Sequence, residues 1–391
     1  RSVSGCEATL GATHSNTLQA ITDLAVLLMQ TGDREEAEEL LKRSLDGREA
    51  TLGVDHPDTL ATVNSYAILL KQKGDLVGAE VLSRRAMEGS EARLGSDHLN
   101  TLQCFTNMAA LLWEMGRLDE AEPLFQRGLQ GRRYKLGPTH PDTLASMNSL
   151  AALLSNKGDF EGAKALFQEA LEGRESKLGA EHPDTLQSFN NLASVLWQQG
   201  KLQEAEPLFR RALAGREALL GSTHADTLQT VHNLGTLEMQ RGNSEAAEPL
   251  FRRALEGREA QLGPDHPNTL DSLSNLANLY LQRSDFDAAE PMYRRALEAR
   301  EAKLGPDHPS TLDSLNNIAV LLMRKGDFDA AEPVCRRTFE IRLSKLGIRH
   351  PDTGQSVHNL VYLLMQKGDT MGVKMLNIQL AQLQQAAESG P

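Results

Sequence analysis

HPDTLQSFNNLASVLWQQGKLQEAEPLFRRALAGREALLGST, from His182 to Thr223, is the stretch whose reading decides the fold, because close copies of it fill nearly all of the chain. The period shows in histidine alone: His14, His56, His98, His140, His182, His224, His266, His308 and His350 are each 42 residues apart. Self-similarity at a fixed period of a few tens of residues marks a repeat array, in which each unit buries its apolar face only against its neighbours. The regular repeats run from 14 to 349, eight units of 42 residues. A ninth, 350–391, has an altered second half, and the periodicity overrides the length of 391 residues in favour of one elongated domain.

Within the unit, LGxxH with Pro often following is loop, and helix entry comes at once. Asp or Asn, once Ser310, stands two residues after each histidine and Thr three after it, so a short polar N-cap worth on the order of 1 kcal/mol is expected there. Phe189, Leu192, Ala193 and Leu196 follow at i, i+3, i+4, i+7, one apolar helical face. A glycine such as Gly74, Gly158 or Gly200 stops this first helix, with Ser284 the exception. A second helix carries Ala205, Leu208, Phe209, Ala212 and Leu213 at the same spacing, with Pro207 and its counterparts Pro123, Pro249, Pro291 and Pro333 expected near its first turn. It continues through GREALLG, which accounts for the long period.

The ends and exceptions carry their own expectations. Residues 1–13, with CEATLG at 6–11, match the close of a second helix, so the chain reads as starting inside a truncated preceding repeat. The last second helix lacks AEPLF and turns glutamine-rich after Asn377, which reads as a cap over the terminal core. Glu238 and Gly354 replace recurring leucines and are expected to loosen packing.

The formal charge is −12, from 53 acidic and 41 basic side chains interspersed along every repeat. That balance argues against nucleic acid or an anionic membrane as partner. Cys6, Cys104 and Cys335 are too few for a disulfide framework, which points to a reducing, cytoplasmic setting. No apolar run approaches the roughly 20 residues of a membrane helix.

The recurring small–x–x–apolar spacing, the turn glycine and Ala–Glu–Pro–Leu–Phe together resemble the tetratricopeptide repeat. The motifs NNLA from Asn190, RRALEGRE from Arg252 and LGPDHP from Leu262 and Leu304 are similar to the 42-residue version found in kinesin light chains and nephrocystin-3-like proteins. The resemblance implies an all-α, right-handed superhelical solenoid of antiparallel helix pairs, with a concave channel lined by the first helices.

The nine histidines do not converge on a metal: neighbouring repeats lie roughly 10 Å apart, whereas zinc ligands sit about 2 Å from one ion. They are expected to tie the loop between repeats. No HExxH, phosphate loop, serine elbow or CxxC is present, so the reading is non-catalytic with no cofactor. The Glu and Arg places of each helix, such as Glu206 and Arg210, read as a solvated face.

A second stripe on each first helix carries the functional reading. Gln187, Asn190, Asn191, Ser194 and Trp197 share a face distinct from the core, and by resemblance it lines the channel. Its equivalents are Asn64, Asn107, Asn148, Asn233, Asn275, Asn316, Asn317 and Asn359. A ladder of amides, each both donor and acceptor, suits an extended peptide backbone; alternatively it knits neighbouring helices. Fifteen residues after each histidine, Trp113, Trp197, Met239 and other large residues stand either as anchors for a partner or as packing between first helices. Lys and Arg are nearly absent from the stripe, which disfavours acidic chaperone tails, while Asp23, Glu114, Asp271 and Asp313 tilt it toward a partner with basic character. His232 and His358 replace Asn there, as simple polar substitutions or as groups that make binding respond to pH.

The reading is therefore a protein-interaction scaffold or adaptor, with any bound peptide centred near 182–223. The alternatives are the sensor arm of a larger signalling ATPase and a structural bridging subunit.

Overall fold

Because helix signals recur every repeat, the secondary structure of the computed structural model, which describes residues 3–388, is a run of paired helices. The chain divides into two compact units, Arg1–Leu208 and Phe209–Pro391. One domain was expected. In a repeat array each helix packs on its sequence neighbours, so compactness is a local property. The first unit holds α1 (Val3–Leu10), then the pairs α2 (Ser15–Thr31) with α3 (Arg34–Leu52), α4 (Pro57–Lys73) with α5 (Leu76–Leu94), α6 (Leu99–Glu114) with α7 (Leu118–Leu136), α8 (Pro141–Lys157) with α9 (Phe160–Leu178), and α10 (Pro183–Gln198). The boundary falls in α11 (Leu202–Leu220). The second unit continues with α12 (Ala225–Gln240) and α13 (Ser244–Leu262), α14 (Pro267–Gln282) and α15 (Phe286–Leu304), α16 (Pro309–Lys325) and α17 (Phe328–Leu346), and α18 (Pro351–Gln366) with α19 (Thr370–Glu388).

Each first helix after α1 is capped by the repeat histidine itself, which corrects the expected Asp or Asn cap. The imidazole Nδ1 of His56, His98, His140, His182 and the others accepts from the backbone N–H two residues on, at 3.2 Å every time. A backbone N–H can only donate, so Nδ1 is the acceptor in each of these contacts. The Asp or Asn two residues later, and Pro where present, lie inside the first turn.

The loop ahead of the cap needs glycine. Gly179 sits at φ 87°, ψ 162°, a region open essentially to glycine alone. In four repeats Thr closes this loop, Thr59 Oγ1 donating to Gly53 O at 2.9 Å, with Thr17, Thr269 and Thr311 alike. At the other end of the first helix Gly74 takes the left-handed conformation, φ 85°. Ser284 accepts the equivalent strain at φ 60°, the sole positive φ outside glycine among the described residues.

Packing follows the apolar faces. Phe189, Leu192, Ala193, Leu196, Ala205, Phe209 and Ala212 are all buried, as their spacing predicts, each large one contributing about 1.5–3 kcal/mol. The leucine opening each first helix presses on the backbone of its own second helix, and the glycine of GRE makes room: a Cβ on Gly173 would stand 2.7 Å from Leu144 Cδ2. Gly354, where that leucine is missing, has nothing within 4 Å of a would-be Cβ, in keeping with the expected loosening.

Three expectations are corrected. Pro123 and its counterparts lie inside the second helix, in its second rather than first turn, because the helix starts at Leu118 and not later. Glu238 does not loosen packing. It is buried and takes the place of leucine by pairing with Arg210 at 3.1 Å and Arg241 at 3.6 Å, and by accepting from Asn243. The terminal helix α19 is only partly a cap: it buries Leu376 but exposes Met371, Met375 and Ile378 to 68 %, 60 % and 53 %, where α15 and α17 carry Asp, Pro and Arg. Among the described residues no helix is long and apolar enough to cross a membrane, and the three cysteines are free and buried.

Candidate functional site

The amide stripe forms from one residue eight places after a histidine and one nine places after the next histidine. These positions meet because successive first helices pack side by side. In the first unit Asn107 Nδ2 donates to Asn64 Oδ1 at 3.0 Å, and Gln103 Nε2 donates to Asn107 Oδ1 at 2.8 Å. Asn191 accepts from Gln187 at 2.6 Å. Asn148 turns back to donate to Leu144 O at 3.0 Å, leaving its Oδ1 buried and unbonded, and Asn190 is buried. In the second unit Asn359 donates to Asn316 at 2.7 Å and accepts from Gln355 at 3.0 Å. Asn233 accepts from Gln229 at 2.8 Å. Asn275 meets His232 Nε2 at 3.1 Å, the histidine occupying the place of an asparagine in the same rung.

Part of the amide capacity is therefore spent between helices. The rest is not: Asn64 only accepts, Asn191 only accepts, and Asn317 makes no hydrogen bond among the described residues. Each amide can make several bonds, so these three keep donors for another group.

The large residues beside the stripe mostly pack. Trp113 is half-buried and meets Phe125 edge-on, ring centroids 6.4 Å apart. Trp197 is half-buried, Met239 and Met323 pack on the core of the second unit, and Leu281 is buried. Met365 alone of the methionines at this place is largely exposed. Lys71 pairs with Glu114 at 2.9 Å.

The acidic residues are likewise committed. Asp271 and Asp313 pair with Arg300 and Arg342 at 2.6 and 2.8 Å, and Asp23 accepts from Gln19 at 2.8 Å. The charges of Asp271 and Asp313 are answered within the chain, which removes part of the basis for a basic partner. His232 does not serve as a switch near neutrality. Burial first, and then the nearby Arg258 charge, push its pKa down to about 4. His358 is exposed.

Sequence reasoning missed the arginine of GRE, which it placed on a solvated face. Arg48, Arg132, Arg216, Arg258, Arg300 and Arg342 are buried to between 3 % and 6 % exposure. Each guanidinium joins the second helix to the first helix that follows. Arg258 Nη1 donates to Asn268 O at 2.9 Å and Ser272 Oγ at 2.8 Å, and its Nη2 donates back to Gln229 Oε1 of the preceding first helix at 2.7 Å. The planar fork with fixed donors suits this three-way link. The signal was available: Arg recurs at one place of the period, always with Ser or Thr fourteen residues on. Where Ser90 replaces the arginine, the partner has become Cys104, and the two meet at 3.8 Å.

Other charges that also read as solvated face join successive repeats. Glu290 pairs with Lys325 at 2.7 Å and Glu332 with Lys367 at 2.7 Å. Glu38, held between Lys42 and Lys73, has its carboxyl pushed down to about 2. Arg85–Glu49, Arg295–Glu259 and Arg337–Glu301 tie second helix to second helix at 2.6–2.7 Å. Such exposed pairs contribute up to about 1 kcal/mol each.

Among the described residues no group of His, Cys, Asp and Glu could hold a metal ion.

A family model described as tetratricopeptide repeat matches residues 58–134, 106–176, 142–218, 184–260 and 226–302, and a second of the same description matches 17–58 and 311–352. No curated protein matches the sequence. Among solved structures, BtubC (BKLC) from P. vanneervenii is 24 % identical, with 60 % of this chain and 94 % of that chain covered and a TM-score of 0.50. A putative kinesin light chain with nearly identical repeats, from Podosopora anserina, is 25 % identical over 53 % of this chain and 98 % of that one, with a TM-score of 0.47. The apo form of the quorum sensor NprR from B. thuringiensis is 13 % identical over 94 % and 99 %, with a TM-score of 0.63, a likeness of fold alone. The matched repeats cover well over half of the sequence, and this chain belongs to the tetratricopeptide repeat family.

Proposed function

We propose that this protein is a non-catalytic interaction scaffold whose first-helix face holds an extended segment of a protein partner. The observation that carries this reading is the unspent amide capacity at Asn64 and Asn191 in the first unit and at Asn317 in the second, beside Asn107, Asn275 and Asn359, which are held in rungs between first helices. Amides hold a peptide backbone without regard to its side chains, and at Asn64 and Asn191, already held as acceptors, little side-chain entropy remains to be lost on binding. Trp113 and Trp197, half-buried beside them, supply apolar contact. With Asp271 and Asp313 already paired, the partner need not be basic.

The test is a peptide-display selection on the full chain, followed by titration of selected peptides against the triple variant Asn64→Ala, Asn191→Ala, Asn317→Ala. The variant removes only the acceptors of Asn107 and Gln187, so the melting temperature is expected to hold within a few degrees while affinity falls at least tenfold. Selected peptides that bind the folded triple variant with unchanged affinity overturn the reading.

A further inference from the structure

Five of the buried arginines share one environment, and Arg174 departs from it. Gln19, Gln103 and Gln229 accept from the second Nη of Arg48, Arg132 and Arg258 at 2.6, 2.8 and 2.7 Å, and Asp271 and Asp313 do so for Arg300 and Arg342. For Arg174 that place is Ala145. Its Nη1 makes the usual bonds, to Asp184 O at 3.0 Å and Ser188 Oγ at 2.8 Å. No carboxylate lies within ion-pair distance of it among the described residues, and it is half-buried where the others are buried.

Beside it is a cavity of about 450 Å³. Its lining includes the apolar Leu136, Pro141, Leu144 and Leu178 together with Arg174, Lys177, His140 and Thr139. His140 spends Nδ1 as acceptor on the backbone N–H of Asp142, which leaves Nε2 as the nitrogen that can donate. The one acid in the lining, Asp184, has its carboxylate 4.0 Å from the ring of His182 and mostly in solvent. The cavity thus joins a guanidinium with a spare pair of donors to an apolar wall.

We propose that this cavity is a binding site for a carboxylate carrying a short apolar body, its oxygens on Arg174 and its carbon chain against Leu144 and Leu178. A guanidinium partly withdrawn from water with no ion pair pays a desolvation cost, which the charge of Asp184 offsets only in part and a bidentate carboxylate recovers. The apolar wall selects a carbon tail over a bare anion. The site does not depend on the amide stripe, because its probe is a small acid and not a peptide held along the first helices.

The experiment is methyl NMR of the full chain, labelled at Leu, titrated with sodium butyrate, with acetate and 1-butanol in parallel. Butyrate is expected to shift the Leu144 and Leu178 methyl signals saturably in the millimolar range, acetate to bind several-fold more weakly, and butanol to leave them in place. Ala145→Gln supplies the amide found in other repeats, so it folds, and it should weaken butyrate at least tenfold. N-acetyl-leucine binding more tightly than butyrate assigns the site to a peptide carboxyl terminus; the reverse order assigns it to a free short-chain acid. Equal shifts with butanol, or Ala145→Gln leaving butyrate affinity within twofold, overturn the proposal.

Discussion

Replacing Arg258 by methionine tests whether the buried arginines hold neighbouring repeats together. The substitution keeps most of the volume and removes three bonds, to Asn268 O, Ser272 Oγ and Gln229 Oε1. Bonds to a charged donor contribute about 1.5–3 kcal/mol each. Against that, a guanidinium buried to 4 % exposure without a carboxylate partner costs several kcal/mol to desolvate, a cost the variant no longer bears. Ser272 also keeps its contact with His232 at 3.4 Å, and Gln229 can turn to water, so the carbonyl of Asn268 is the main group left unpaired. The balance is a loss of about 2 kcal/mol at this junction, roughly thirtyfold in the local opening constant. A repeat array does not unfold as one two-state unit, so the assay is native-state hydrogen exchange of α12, α13 and α14 and not a global melt. Arg258→Lys should cost nearly as much, because one ammonium cannot span the fork. Exchange in Arg258→Met within threefold of wild type, with Arg258→Lys equally silent, refutes the linking role.

Two further outcomes follow from single side chains. His182→Ala should speed exchange in the first turn of α10 by about 1 kcal/mol, and His182→Asn should restore it, because Asn supplies the same acceptor; equal behaviour of the two variants contradicts the cap assignment. His232, with a pKa of about 4 when folded against an ordinary value near 6.5, is neutral in the folded chain while the unfolded chain takes up the proton first. Its contribution is therefore fully present above about pH 6.5 and is lost as the pH falls toward 4, on the order of 3 kcal/mol at the α12–α14 junction. His232→Asn should flatten the part of the pH 7 to pH 5 change in exchange that belongs to this junction, and an unchanged pH profile in that variant removes the explanation.

The amide stripe shows where reading a sequence stops. Asn107 and Asn64, 43 residues apart, were visible as polar residues on one face, but whether an amide faces a partner or its neighbour depends on how closely two first helices approach. Asn317 and Asn316 stand side by side in the chain, yet one is bonded to Asn359 and the other to nothing among the described residues. The same holds for charge. Glu206 and Arg210 looked alike as surface residues, and Arg216, six places on and chemically the same as Arg210, is buried.

The sequence by itself determined the period, the two helices of each unit, their apolar faces and their glycine stops, because these rest on interactions within about four residues. It also located Pro207 and its kind to within a turn, and marked Glu238 as out of place. Tertiary structure alone decided that histidine rather than Asp caps the first helices, that the GRE arginine reaches residues 14 and 29 places away in sequence, that Glu238 is satisfied by two arginines, and which amides keep free donors. Those outcomes turn on distances between helices, where a shift of about an ångström makes or breaks a hydrogen bond.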